Sequence, residues 1–448
     1  MNRYLEGNYG PVTEEMTETE LAVTGTLPMW LEGRYLRNGP NPISADPATY
    51  HWFTGDGMVH GVRLRDGRAE WYRNRWVRSE SVAAALGETW KGGPVHAGFD
   101  SAANTNVIGH AGRTFAIVEA GSRPYELTDE LETIGVCDFD GTLPGGYTAH
   151  PKRDPATGEL HAVSYFFGWG NKVQYSVIDR ERRVRRTVDV ELGASPMLHD
   201  MSLTERYAVI YDLPVTFDMD LAASGSSFPY AWDPDYQARI GLLPREGSAE
   251  DVRWFEVDQC YVFHPLNAYD DGDRVVLDVV RHPRMFDRNR LGPDEGRPTL
   301  DRWTVDLVAG KVLEERLDDR GQEFPRVDER LVSRRHRYGY SVAVVEDDED
   351  RLDFGANALL KHDLVAGTTR AREFRNGAAG EFVMVPSSSE AAEDEGVLMG
   401  FVYDRTRDAS DLVLLDAATM DDLASVHLPV RVPYGFHGNW VPAADGIT

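Results

Sequence analysis

Apolar positions recur along the chain in short runs of strand length, either alternating with polar residues or continuous, and turn-forming residues separate them. This pattern predicts strands over residues 113–120, 161–167, 172–178 and 207–215, and again over 274–280, 300–307, 338–345, 397–403 and 411–415. Asp-Gly pairs at Asp66-Gly67, Asp140-Gly141 and Asp271-Gly272 predict tight antiparallel hairpins, because the central positions of such turns need left-handed backbone. Helical periodicity is scarce: residues 81–90 carry the best case and residues 218–223 a second. The fold class expected is all-β, with strands paired as hairpins and no βαβ crossovers. No sequence period is readable and no low-complexity linker divides the chain, so residues 1–448 are expected to form a single domain.

Four histidines stand in short turn-like settings beside strand patterns: Tyr147-Thr148-Ala149-His150-Pro151, Met197-Leu198-His199-Asp200, Phe263-His264-Pro265 and Phe436-His437-Gly438. The gaps between them are 49, 65 and 173 residues, which no single helix or hairpin can bridge. Side chains so far apart converge only if separate structural units point at a common centre, as in a closed, radially repeated fold. The expected architecture is therefore a β-propeller with a metal site where its units converge. Each histidine alone reads as a hydrogen-bonded core or turn residue; the four together read as a ligand set. His51, His60, His96, His110, His161, His282, His336, His362 and His427 lack a comparable setting and are expected to play ordinary structural parts.

Composition narrows the possible functions. The net charge is −27, a field that repels phosphates and argues against nucleic acid or anionic membrane surfaces as main partners. No run approaches the roughly 20 apolar residues of a bilayer-spanning helix. The N-terminal residues Met1 to Tyr9 lack the basic-then-apolar pattern of a secretory signal, so a cytoplasmic location is expected. Cys137 and Cys260 are the only cysteines, which excludes a disulfide scaffold or a thiolate cluster. The acidic runs 346–350 and 393–395 read as solvated loops.

Four neutral imidazoles leave the charge of a divalent ion uncompensated, and they suit iron, copper, nickel and zinc alike. Metal-bound histidines usually donate their second ring N–H to a carboxylate, so acids in strand-like, apolar settings are candidates to supply the negative charge. Three fit: Glu119 after Phe115-Ala116-Ile117-Val118, Glu323 before Phe324-Pro325, and Glu381 before Phe382-Val383-Met384-Val385-Pro386. A surface or edge glutamate with apolar neighbours is the competing reading of each.

Several segments, taken in order, carry a resemblance: Gly7-Asn8-Tyr9-Gly10-Pro11-Val12, Tyr35-Leu36-Arg37-Asn38-Gly39-Pro40-Asn41-Pro42, His51-Trp52-Phe53-Thr54-Gly55-Asp56-Gly57-Met58-Val59-His60, Ala103-Asn104-Thr105-Asn106-Val107, Thr148-Ala149-His150-Pro151-Lys152, Leu300-Asp301-Arg302-Trp303 and Phe436-His437-Gly438. With these the chain resembles the carotenoid cleavage oxygenases, a family that includes apocarotenoid dioxygenases, lignostilbene dioxygenases and a retinoid isomerase. The resemblance implies a seven-bladed β-propeller, with a few short helices and loops capping the metal face. It also implies a non-haem Fe(II) held by His150, His199, His264 and His437, with Glu119, Glu323 and Glu381 behind them. By the same resemblance, Thr105 falls where some members have a side chain crowding the open iron position.

The implied reaction is scission of a conjugated carbon–carbon double bond by O2, giving two carbonyl products. Lignostilbene-cleaving relatives place a lysine directly before the glutamate equivalent to Glu119; here that residue is Val118. A carotenoid or apocarotenoid is therefore the expected substrate, with Lys91 or Tyr125 as potential substitutes for the phenol-binding groups. Cleavage of stilbene or phenylpropenoid alkenes is the alternative, and a non-catalytic carotenoid-binding propeller a third reading. Between Pro214 and Trp232, where the family carries a membrane-contacting patch, Asp218 and Asp220 interrupt the apolar residues, so at most weak peripheral membrane contact is expected.

Overall fold

The apolar runs fold into antiparallel sheets whose strands zigzag outward from a common axis. The computed structural model describes residues 2–293, 295–346, 352–353, 355 and 357–443. Seven sheets of four to six strands form the blades of a β-propeller, accompanied by two small two-stranded ribbons. In chain order the blades begin at Gly33–Pro40, Asn106–His110, Lys152–Arg153, Ser202–Leu203, Pro265–Asp271, Gln322–Arg326 and Gly377–Ala379, and are called blades 1 to 7 below.

Both chain ends close the ring. Ala22–Gly25 pairs antiparallel with Asp422–His427 as an added strand of blade 7, and Gly438–Pro442 pairs with Gly33–Pro40 as an added strand of blade 1. Placing segments from the two halves of the chain in blades 7 and 1 ties the ring together. The interior is filled by the two faces of each blade, where residues such as Tyr211, Leu277, Phe286 and Trp303 are almost wholly buried. Trp303 has no exposed surface, and its ring lies 6.2 Å from that of Tyr211. Trp303→Ala is expected to cost about 3–5 kcal/mol, read as a lowered urea midpoint, because the neighbouring blade cannot collapse into the void.

Several predicted elements differ in extent, each for a local reason. The run 207–215 stops at Asp212 and resumes as Val215–Phe217, since Pro214 has no N–H for the ladder. The run 113–120 ends at Ile117; Ala120 has φ of 63°, and the chain leaves the sheet at Val118 and Glu119. The helix predicted over 81–90 is only Glu80–Ala85, capped by Ser79 and ended before Gly87 at φ of 71°. The second is Met219–Ala223, with Asp218 as its cap. Asp66-Gly67 and Asp271-Gly272 do turn hairpins, but Asp140-Gly141 sits in the long connection between blades 2 and 3.

The acidic run 393–395 is not simply solvated. Glu393 accepts backbone N–H bonds from Arg337 and Tyr338, and Asp394 pairs at 2.6 Å with the buried ammonium of Lys361. Of the run 346–350, all but the backbone of Glu346 lies outside the described residues.

Candidate metal centre

Each of the four histidines stands one to three residues before a strand that begins a blade's inner edge: His150 in blade 3, His199 in blade 4, His264 in blade 5 and His437 before the closing strand of blade 1. The remaining three blades each bring a glutamate: Glu119 after the second strand of blade 2, Glu323 in the first strand of blade 6, and Glu381 between the inner strands of blade 7. All seven residues are buried. The ligand atoms of the four histidines lie within 4.8 Å of one another, with His150 Nε2 to His199 Nε2 at 3.0 Å and His199 Nε2 to His264 Nε2 at 3.1 Å.

The carboxylates decide which ring nitrogen faces inward. His199 Nδ1 donates to Glu119 at 2.6 Å, His264 Nδ1 to Glu323 at 2.7 Å and His437 Nδ1 to Glu381 at 3.0 Å. With the proton on Nδ1, each Nε2 turns a bare lone pair towards the centre. Lone pairs 3.0–3.1 Å apart repel unless a cation lies between them. Two nitrogens at the usual metal–imidazole distance of about 2.0–2.1 Å would be roughly 2.9 Å apart at right angles and roughly 3.3 Å apart at the tetrahedral angle, a range that contains the observed 3.0 and 3.1 Å. The donor set therefore fits a divalent ion that accepts imidazole.

The electrostatics favour a neutral ring at His150 and His264, and a protonated one at His199 while no cation is bound. Burial, followed by the three other imidazoles, holds His150 far below the ordinary histidine range, so it stays a neutral donor. Burial also takes His264 down to about 3, although Glu323 opposes it. At His199 burial works downward too, but the Glu119 carboxylate outweighs it and raises the ring. Burial would raise Glu381, yet Arg326 and His437 lower it to about 2, and it stays ionised. Glu323 is lowered in the same way by His264 and His282.

His150 is the exception among the four. Its Nδ1 lies 3.7 Å from Asp200 Oδ2, beyond hydrogen-bond range, and Asp200 is itself held by Lys152 at 2.8 Å. His282, expected to be an ordinary structural histidine, instead donates through Nε2 to Glu323 Oε1 at 2.7 Å. No local motif marks it. It becomes visible only once blades 5 and 6 are packed together.

Two cavities meet at the histidines. One, of about 480 Å³, is lined by aromatic residues including Phe53, Phe228, Phe263 and Phe436, by Val118, and by His199, His264 and His437. Thr105 lines it as well; its hydroxyl bonds Asn104 Oδ1 at 3.0 Å. The other, of about 100 Å³, is polar, lies along the first strands and touches His150, His264 and His437. Lys91 and Tyr125 line neither: Lys91 Nζ donates to Thr133 O at 2.5 Å, and Tyr125 donates to Asp100 at 2.9 Å. Phe167, at the large cavity, is 42 % exposed and stacks on Phe217, while nearby Met219 is 72 % exposed. Among the described residues no helix is long and apolar enough to cross a membrane.

The sequence profile of the family described as "Retinal pigment epithelial membrane protein" matches residues 9–442. A protein named carotenoid cleavage oxygenase from Mycobacterium tuberculosis is 53 % identical, with 98 % of each chain covered. The carotenoid 9,10(9',10')-cleavage dioxygenase 1 of Phaseolus vulgaris is 32 % identical over 98 % of this chain and 89 % of its own. Among solved structures, the lignostilbene dioxygenase of Pseudomonas brassicacearum superposes with a TM-score of 0.87 at 29 % identity, covering 98 % of both chains. The cobalt-substituted ACO of Synechocystis superposes with a TM-score of 0.85 at 27 % identity, covering 97 % of both. A seven-bladed propeller with four buried histidines on its axis, matched along nearly its whole length by these relatives, places the chain in the carotenoid cleavage oxygenase family, as a dioxygenase-type enzyme.

Proposed function

We propose that the chain, acting as one domain over residues 1–448, is a non-haem Fe(II) dioxygenase. It cleaves a conjugated carbon–carbon double bond of a carotenoid or apocarotenoid with O2 to give two carbonyl products. The observation that carries this reading is the opening of the four-imidazole cluster, through His199, His264 and His437, onto the apolar cavity of about 480 Å³. That volume lies within the roughly 300–1,000 Å³ of small-molecule sites. His150, His199, His264 and His437 would hold the iron, which when bound would supply activation of dioxygen.

The protein's own residues do the rest. Phe53, Phe228, Phe263 and Phe436 receive the polyene, exclude water and hold one alkene beside the three histidines that share the cavity wall. Glu119, Glu323 and Glu381 fix the tautomers and supply negative charge that four neutral imidazoles lack. Thr105, on the same wall, crowds the position left open by the histidines and restricts what can approach it. The apolar groups around Phe167 and Met219 give at most a weak, peripheral hold on a lipid surface that stores the substrate.

A phenol-specific site has less support. Val118 lines the cavity where a lysine would be needed, and Lys91 and Tyr125 are bonded elsewhere. Val118→Lys is expected to lower kcat/KM for a polyene by at least about ten-fold, because an ammonium among aromatic walls is poorly solvated. Steady-state assays with one apocarotenal check this. The broader test offers the Fe(II)-loaded protein β-carotene, apocarotenals, resveratrol and isoeugenol in air, with products identified by mass spectrometry. Carbonyl fragments from the polyenes alone support the reading; vanillin-like products alone would overturn it.

A further inference from the structure

The three glutamates behind the histidines are anchored differently. Glu381 has a guanidinium, Arg326 Nη1 at 3.2 Å, and the backbone N–H of Gly438 at 2.8 Å. Among the described residues no guanidinium or ammonium reaches Glu323. Its Oε2 accepts from His264 Nδ1 at 2.7 Å and from the backbone N–H of Phe324 at 2.5 Å, while Oε1 accepts from His282 Nε2 at 2.7 Å.

His282 is built for this contact. It has no exposed surface, it exchanges two backbone hydrogen bonds of 2.8 Å with Tyr261, and its ring packs edge-on against Phe263 at 5.2 Å. Its other nitrogen, Nδ1, has no hydrogen-bond partner among the described residues. The contact of Nε2 with Glu323 is therefore the one side-chain hydrogen bond that His282 makes among the described residues. Both carboxylate oxygens of Glu323 are then fixed, and the direction in which Oε2 meets His264 is fixed with them.

We infer that His282 is a positioning residue: by holding Glu323 it sets the orientation and donor strength of His264 at the metal centre. This rests on the proposal above that the four histidines bind a divalent metal. Loss of outer partners of this kind lowers metal affinity by about 10–100-fold.

The test titrates the metal-free protein anaerobically with Co(II), reading the dissociation constant and the visible d–d bands, and measures the urea midpoint of the metal-free form in parallel. His282→Phe keeps the ring and removes the donor; it is expected to weaken Co(II) binding about 10–100-fold and to shift the bands. His282→Gln, whose amide N–H reaches as far as Nε2, is expected to recover most of the loss, and the shorter His282→Asn is not. If the Phe variant fails to fold, the Gln and Asn pair carries the comparison. Wild-type affinity and bands in Phe or Asn, with only the urea midpoint lowered, would overturn the inference and leave His282 as a packing residue. Failure of the wild-type protein to take up Co(II) would overturn the metal-centre reading itself.

Discussion

His199→Ala is expected to reduce Fe(II) affinity by more than the roughly 100-fold that marks loss of an outer partner, and to abolish detectable cleavage. His199 is the member of the set whose Nε2 lies against two others, at 3.0 Å from His150 and 3.1 Å from His264, so its removal opens the centre of the cluster. The substitution also strips the buried carboxylate of Glu119 of its imidazole donor. Thermal unfolding with and without metal separates the two effects. A ligand at 100 times its dissociation constant stabilises the folded state by about 2.7 kcal/mol, so the wild-type Tm rises on adding Fe(II) anaerobically. In the variant that rise is expected to vanish, whatever happens to the metal-free Tm.

The second large effect concerns stability. Arg326→Met is expected to destabilise the protein by about 3–5 kcal/mol, because it leaves the buried carboxylate of Glu381 without its cation. The guanidinium does more than neutralise. It donates to Gly438 O at 3.0 Å and Asn439 Oδ1 at 2.9 Å, tying blade 6 to the closing strand of blade 1, and bonds Glu329 at 2.8 Å. Since His437 immediately precedes that strand, metal affinity is expected to fall with stability. Chemical unfolding and Co(II) titration of the same preparation read both. An unchanged urea midpoint would show that water replaces the guanidinium at Glu381.

Much of this was legible in the residues. Strands such as Lys172–Ile178, predicted without error, follow from unbroken β-branched and aromatic alternation. The four histidines stand out because each occupies a tight setting next to a strand and together they read as one ligand set, which the ring of blades brings to a common centre. The glutamates showed as acids flanked by apolar residues, a pattern that a surface or edge glutamate shares, and only the family resemblance favoured a place behind the histidines. What escaped was set by contacts between blades. His282 follows a strand indistinguishable from its neighbours, and Glu323 selects it only after blade 6 docks on blade 5. The buried ammonium of Lys361 pairs with the half-buried Asp394, a contact that the acidic composition of the surrounding run concealed. Asp140-Gly141 adopts the left-handed backbone expected of it, yet no partner strand faces it, so the turn connects blades rather than closing a hairpin.

The most direct measurement is X-ray absorption at the iron edge of protein loaded anaerobically with Fe(II), together with the iron content per chain. One iron per chain, surrounded by four imidazole nitrogens and no sulfur, is expected, and His199→Ala should lose it. Iron bound with fewer than four imidazoles, or bound equally well by His199→Ala, would contradict a centre built from these four blades.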